Sequence, residues 1–320
     1  MFNLSKYNPN NNKIVFRCNG QGFGGLGDRM IGLCSSFILS LILNFEFRIY
    51  WTYPIDLNNI LDEKNIKWTT RDYDMNEILK NNGELNLIDF NVNKNKHILE
   101  NNIYKIFNKT ISIVSNKAFY LYLMNNKYLE SRLLELNIIN EDNIIHNCMS
   151  ILFALKPSTQ LKYNNLLFTF SKYHAIGLQI RSFIGEFFDN LDESKLLSYY
   201  KFIEDNYEKY NNNLLIYLCT DSDVIVKHIT QKYSHINFIL TSNTIIHLER
   251  STETNINIEN NLKLILEIWS LGKTKELMIT NSSNFGRIAS LLSQKIPYIN
   301  NNMIYEYTTF NNILSKDKFD

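Results

Sequence analysis

Four cysteines in 320 residues, Cys18, Cys34, Cys148 and Cys219, form no C-x-x-C pair. Their scatter argues against a disulfide framework and against a thiolate zinc site, and predicts reduced structural thiols. Proline is as scarce, with four residues, and no proline-rich linker divides the chain. An excess of one charge is missing too, since 33 basic and 32 acidic residues leave a formal +1. No global field draws such a protein to nucleic acid or to anionic lipid, and an anionic ligand has to be met by a few well-placed groups. The most apolar stretch, residues 31–47, is broken by Ser35, Ser36, Ser40, Asn44 and Glu46. It reads as a buried helix, not a membrane span. The opening residues, MFNLSKYNPNNNK, carry neither the basic start nor the apolar run of a signal peptide. A soluble, cytoplasmic protein is expected.

What is present is an ordinary globular composition, 45% hydrophobic and 13% aromatic, with a length that fits one large domain or two of about 150 residues. Asparagine runs at 10–12 and 211–213 read as solvated loops. The first half opens with an apolar run at 14–16, a glycine-rich loop at 20–27, apolar residues at helical spacing from Met30 to Leu41, and a β-branched and aromatic run at 45–51. That is a β–loop–α–β unit. Residues 60–150 are less patterned and suggest helices around 115–136. From Pro157 onward helices and strands alternate. Helices are expected at 157–173, 193–210, 222–232, 261–271 and 284–294, and strands at 175–183, 214–219, 237–240, 276–280 and 298–299. Such alternation predicts a parallel sheet covered on both faces.

Chemistry is concentrated in a few segments. Gly20, Gly22 and Gly25 match the G-x-G-x-x-G dinucleotide fingerprint. However, the following strand ends Ile49-Tyr50-Trp51, without the acid that would hold a ribose. The glycines predict either a close backbone approach or a turn through positive φ. Asp28, opening the next helix, is either a favourable charge at its amino end or a carboxylate lining a cleft. In His174-Ala-Ile-Gly177-Leu-Gln179-Ile-Arg181, strand alternation puts Gln179 and Arg181 on one face. A guanidinium at the carboxyl end of a buried parallel strand suits a phosphate, the alternative being an internal salt bridge. His174, at the strand's start, reads more simply as a surface or capping residue. Glu267 lies in a helix apolar on most of its circumference, so its carboxylate needs a partner, either the paired N–H donors of guanine or Lys263. The segment 280–286 places hydroxyls and amides at a helix start, a natural anion site and equally a good cap. Asp221-Ser222-Asp223 could hold a divalent cation but is read in preference as a helix cap with a first-turn acid.

In this order the segments resemble the GDP-fucose-dependent fucosyltransferases of the α1,2, α1,6 and protein-O-fucosyl superfamily, the plant xyloglucan enzymes being closest in pattern. The matching stretches are Gly25-Leu-Gly27-Asp28-Arg29-Met30, Gly177-Leu-Gln179-Ile-Arg181-Ser-Phe183, Cys219-Thr220-Asp221-Ser222-Asp223, and Leu266-Glu267-Ile268 through Ser283-Asn284-Phe285-Gly286. The resemblance implies an α/β GT-B fold, with two Rossmann-like domains facing across a cleft. Residues 1–155 would form the acceptor side and 156–320 the donor side. It implies inverting transfer of L-fucose from GDP-β-L-fucose to a glycan or protein acceptor, with no metal and no cofactor beyond that co-substrate. Arg181 would bind the β-phosphate and Glu267 the guanine, while Ser282, Ser283, Asn284 and Phe285 touch the pyrophosphate. Gly25, Gly27, Arg29, His174, Gln179 and Asp221 complete the expected donor set. Asp28 is the first candidate for the general base and Glu186 the second. Two other readings stay open, a Rossmann-type NAD(P)-dependent oxidoreductase built on the glycine loop and a transferase-derived module that binds nucleotide or sugar without turnover.

Overall fold

The computed structural model describes residues 1–20, 22–81, 83–88, 90–182, 192–241, 257–301 and 304–309. They group into two compact units that part between Leu155 and Lys156.

The first unit begins with strand β1 (Asn10–Cys18), helix α1 (Leu26–Leu43) and strand β2 (Phe45–Trp51). β3 (Leu61–Glu63), α2 (Met75–Asn81), β4 (Gly83–Leu87), α3 (Phe90–Glu100), α4 (Ile103–Ile106) and β5 (Ile111–Ser115) follow. The unit closes with α5 (Tyr120–Met124), α6 (Glu130–Glu135), α7 (Ile144–Leu152) and β6 (Phe153–Leu155). Strands β2-β1-β5-β4 form a parallel sheet, and β3 pairs antiparallel with β6. By length and composition α1 could cross a membrane, yet 94% of it is buried. Its serines need no water, because Ser35 and Ser36 donate to the carbonyls of Ile31 and Gly32 one turn back. All four cysteines are buried and form no disulfide.

The second unit contains α8 (Pro157–Lys172), β7 (His174–Ile180), α9 (Leu197–Tyr210), β8 (Leu214–Thr220), α10 (Asp223–Lys232) and β9 (Asn237–Ile239). It continues with α11 (Ile258–Leu271), β10 (Glu276–Ile279), α12 (Asn284–Ser293), β11 (Tyr298–Asn301) and β12 (Ile304–Tyr307). Proline at the first turn of α8 starts that helix at no hydrogen-bond cost. The sheet order is β12-β11-β10-β7-β8-β9, parallel except for the edge strand β12. The chain runs outward from β7 to β9 and then crosses back to lay β10 on the other side of β7. That reversal is a topological switch point, and open α/β sheets bind ligands at the carboxyl ends of the strands there. Residues on both sides of the central strands are buried. Ile176, Leu178, Ile216 and Met278 pack on one face, and Ala175, Tyr217, Leu271 and Ala289 on the other.

Candidate active site

Strand β7 is buried at every residue from His174 to Ile180, so Arg181 emerges from the middle of the sheet. The register that pairs Ile180 with Thr220 on β8 sets the residues that follow, Arg181 and Asp221, side by side. Arg181 Nη1 donates to Asp221 Oδ2, and the N–H of Ser182 donates to Asp221 Oδ1 at 2.8 Å. Asp221 is thus not the helix cap. Ser222 caps α10, its hydroxyl accepting from the Ile225 amide, and Asp223 is the first-turn acid. Arg181 has the internal salt bridge, and its side chain still keeps 26% exposure.

That exposure opens into a small pocket lined by Gln179, Arg181, Cys219, Thr220, Asp221, Leu264, Glu267 and Phe285. Glu267 comes from α11 and is 5% exposed. Its Oε1 accepts from the Thr241 hydroxyl and lies 3.7 Å from Lys263 Nζ, one turn earlier. Burial raises its pKa, against the pull of Lys263 and Thr241. Burial likewise holds the Cys219 thiol well above its ordinary value, reinforced by the Glu267 charge. Gln179 accepts at Oε1 from the Thr280 amide at 3.2 Å. Phe285 belongs to the first turn of α12, whose N-cap Ser283 makes no capping bond with its side chain. Ser282 is exposed, and Asn284 accepts from Arg287 through Oδ1. α12 sits directly on the strand ends because Gly286 has no side chain. A Cβ there would lie 2.6 Å from Gln179 Oε1 and 2.8 Å from Ile279 Cβ.

Four separated segments therefore converge, and Gln179, Arg181, Asp221, Glu267 and Phe285 share one pocket. His174 does not belong with them. It stands at the amino end of β7, six residues and about 20 Å up the strand from Ile180. There its Nε2 lies 3.2 Å from Glu276 Oε1 and its ring stacks on Tyr210 at 3.4 Å.

In the first unit, Gly22 and Gly24 have φ of +86° and +76°, so the glycine-rich loop is a turn that needs those residues. Asp28 Oδ2 accepts the N–H of Gly25 at 2.9 Å, which puts a carboxylate at the start of α1. A dinucleotide pyrophosphate would need that position, which counts against the oxidoreductase reading. Gly27 is buried inside α1. Arg29 is fully buried and cannot meet a donor from there. Its Nε donates to Gly24 O at 2.9 Å and its Nη1 to Tyr53 O at 2.6 Å, with the rings of Phe23, Trp51 and Tyr53 around the guanidinium. Arg29 is a fastener for the loop. Glu186 and Phe183 lie outside the described residues. Among the described residues, no cluster of three or more His, Cys, Asp or Glu could hold a metal. Tyr199, which the sequence reading passed over, meets Thr280, the first residue of the 280–286 segment, beneath Arg181 through a 2.7 Å hydroxyl contact.

Two α/β units, the second doubly wound with its pocket at the switch point, define a glycosyltransferase fold of the GT-B class. Among solved structures, the chain is similar to a mutant of Arabidopsis thaliana FUT1 in complex with GDP, with TM-score 0.67, 14% identity, and 92% of this chain and 72% of that one covered. It is also similar to the NodZ α-1,6-fucosyltransferase soaked with GDP-fucose, with TM-score 0.58, 11% identity, and 93% and 99% covered. The fucosyltransferase NodZ from Bradyrhizobium gives TM-score 0.57 at 11% identity over 93% and 99%. The resemblance read from the motifs is borne out in the fold. No family model and no curated protein matches the sequence.

Proposed function

We propose that the chain is a glycosyltransferase that moves L-fucose from GDP-β-L-fucose to a hydroxyl of a glycan or protein acceptor. The second unit holds the donor and the first serves the acceptor. The observation that carries this reading is the pocket at the β7–β10 switch point. There a partly exposed guanidinium, a helix start without a side-chain cap and a buried carboxylate line one small volume. Similarity to fucosyltransferases solved with GDP and with GDP-fucose supports the same assignment.

In this reaction the bond between fucose C1 and the β-phosphate oxygen breaks, and its electron pair leaves on GDP. The acceptor oxygen bonds to C1 from the opposite face, which inverts the centre, and gives up its proton. Charge accumulates on the departing phosphate, where Arg181 and the amides opening α12 stabilise it. A metal is not required. The carboxylate best placed to bind one, Asp221, already binds Arg181 and the Ser182 amide. Glu267 accepts from guanine N1–H and N2–H₂, a donor pair that adenine and uracil lack. Asp28, anchored by Gly25 N–H, is the first candidate to take the acceptor proton, and Glu186 the second.

Calorimetric titration with GDP, ADP, UDP and NAD(P)H, followed by donor hydrolysis and transfer on a glycan array, tests the proposal. Binding selective for GDP, with turnover, is expected. Bound NAD(P)H without GDP binding would restore the oxidoreductase reading. Tight GDP binding without hydrolysis or transfer would leave a binding module.

A further inference from the structure

At a switch point the connections leaving two adjacent parallel strands turn to opposite faces of the sheet, so the backbone ladder stops while the ligand-binding residues are still to come. Here the β7–β10 register ends at Gln179 and Ile279. Arg181 lies two residues further on, past the end of that register.

The hydroxyl of Thr280 fills the gap. Its Oγ1 accepts the N–H of Arg181 at 2.8 Å and donates to the Gln179 carbonyl at 3.2 Å. The Tyr199 hydroxyl lies 2.7 Å from the same atom. A threonine hydroxyl has one proton and two acceptor sites. With the proton given to Gln179 and one site taken by Arg181, the second site accepts from the Tyr199 hydroxyl; with the proton given to Tyr199 instead, the Gln179 carbonyl still has the Thr280 N–H at 3.0 Å. In the first arrangement all three capacities are used, in a place where Thr280 is 3% and Tyr199 2% exposed. Burial raises the Tyr199 pKa, which keeps its proton in place. On the other side of the strand, Asp221 takes the Ser182 amide and the guanidinium. The peptides of residues 181 and 182 are held from both flanking strands.

We infer that Thr280 and Tyr199 are positioning residues for Arg181, fixing its backbone so that the guanidinium fork meets the β-phosphate of the donor. Neither touches the nucleotide, and both act through Arg181. The inference rests on the donor site proposed above.

GDP and GMP differ by the β-phosphate that Arg181 reaches, so the ratio of their affinities isolates this device from general damage to the fold. Tyr199→Phe keeps the ring and removes the hydroxyl, Thr280→Val keeps the shape and removes it, and Thr280→Ser retains it. Titrations of both nucleotides should show the GDP-to-GMP ratio falling about 3- to 10-fold in Tyr199→Phe and Thr280→Val. Thr280→Ser should keep the wild-type ratio, and GMP affinity should hold throughout. In an Arg181→Lys background, adding Tyr199→Phe should lower the ratio no further. Equal losses for GDP and GMP, or an unchanged ratio in both hydroxyl-deleting variants, would overturn the inference and leave the donor site standing. Wild-type protein that binds GDP no better than GMP would instead overturn the donor-site reading, and this inference with it. If Tyr199→Phe does not fold, the contrast between Thr280→Val and Thr280→Ser decides.

Discussion

Arg181, partly exposed, and Glu267, buried, are charges that each have a partner and a second task open to them. Arg181 pairs with Asp221 while its side chain stays 26% exposed to the pocket. Arg181→Lys keeps the charge, and an ammonium can still reach Asp221, but the planar fork that grips two phosphate oxygens is gone. Transfer should fall by roughly 10²-fold or more in initial-rate assays, since charge stabilisation at a leaving group is worth that much. Wild-type rates would remove Arg181 from the reaction. Glu267 has both of its contacts, Thr241 and Lys263, on Oε1. Glu267→Gln keeps one acceptor and sets an NH₂ against a guanine donor, a loss of about 2–3 kcal/mol, or roughly 30- to 150-fold in GDP affinity. Its effect on stability has the opposite sign. The folded-state pKa of Glu267 is raised above 4.5 by burial, so below the unfolded value the carboxyl carries no penalty. As pH rises through the raised value, the folded protein acquires a buried charge and loses stability. The melting temperature of Glu267→Gln relative to wild type should therefore climb as pH rises above the ordinary glutamate value. A difference that does not move with pH, together with equal GDP affinities, would place Glu267 in solvent.

Between elements, α12 lies close against the ends of β7 and β10 over Gly286. Alanine there is worth about 1 kcal/mol to a helix, but its Cβ would stand 2.6 Å from Gln179 Oε1 and 2.8 Å from Ile279 Cβ. Gln179 can swing aside, whereas Ile279 Cβ is fixed by the strand, and overpacking costs about 1–3 kcal/mol. Steric cost should win. Gly286→Ala is expected to lower the melting temperature and weaken GDP binding as α12 lifts from the strand ends. A variant as stable as wild type with normal GDP affinity would show that the helix start can shift freely. The same elements explain what could be read from sequence. From Pro157 to Ile299, apolar strands alternate with helices of clear period, and the structure has them within a few residues of the expected limits. β4 and β12 were missed because Gly83–Leu87 and Ile304–Tyr307 are short, polar-flanked edge strands that lack a continuous apolar run. Arg181 and Glu267 stood out because a charge inside an apolar pattern is conspicuous. Tyr199 and Thr280 did not, because a tyrosine in an amphipathic helix and a threonine at a strand end look like packing and capping. Their meeting depends on the β7–β10 crossing, which no local pattern encodes. His174 shared a strand with Arg181 in sequence, but the strand's own length carries it to the far end.

For the whole molecule, the division at Leu155 and Lys156 makes the donor assignment a statement about which unit a nucleotide stabilises. A ligand at a hundred times its dissociation constant adds about 2.7 kcal/mol to whatever must unfold to release it. If GDP binds the second unit through Arg181, Glu267 and the start of α12, hydrogen exchange should slow in the segments forming that pocket. These are residues 176–182, 217–222, 262–268 and 280–288. Amides of the first unit whose opening leaves the pocket intact should exchange at their former rate, because stability in proteins is distributed over separately opening regions. The glycine-rich loop at 22–27 is the informative control. Its tightest amide contact, Gly25 N–H to Asp28, is internal to the loop and its helix, so GDP held wholly by the second unit leaves it untouched. Exchange followed by mass spectrometry, with GDP at about a hundredfold excess over its dissociation constant and GMP as comparison, separates the possibilities. Slowing confined to the four second-unit segments, with 280–288 and 176–182 responding more to GDP than to GMP, is the expected result. Slowing centred on 22–27 would move the nucleotide to the first unit and reverse the donor and acceptor assignments.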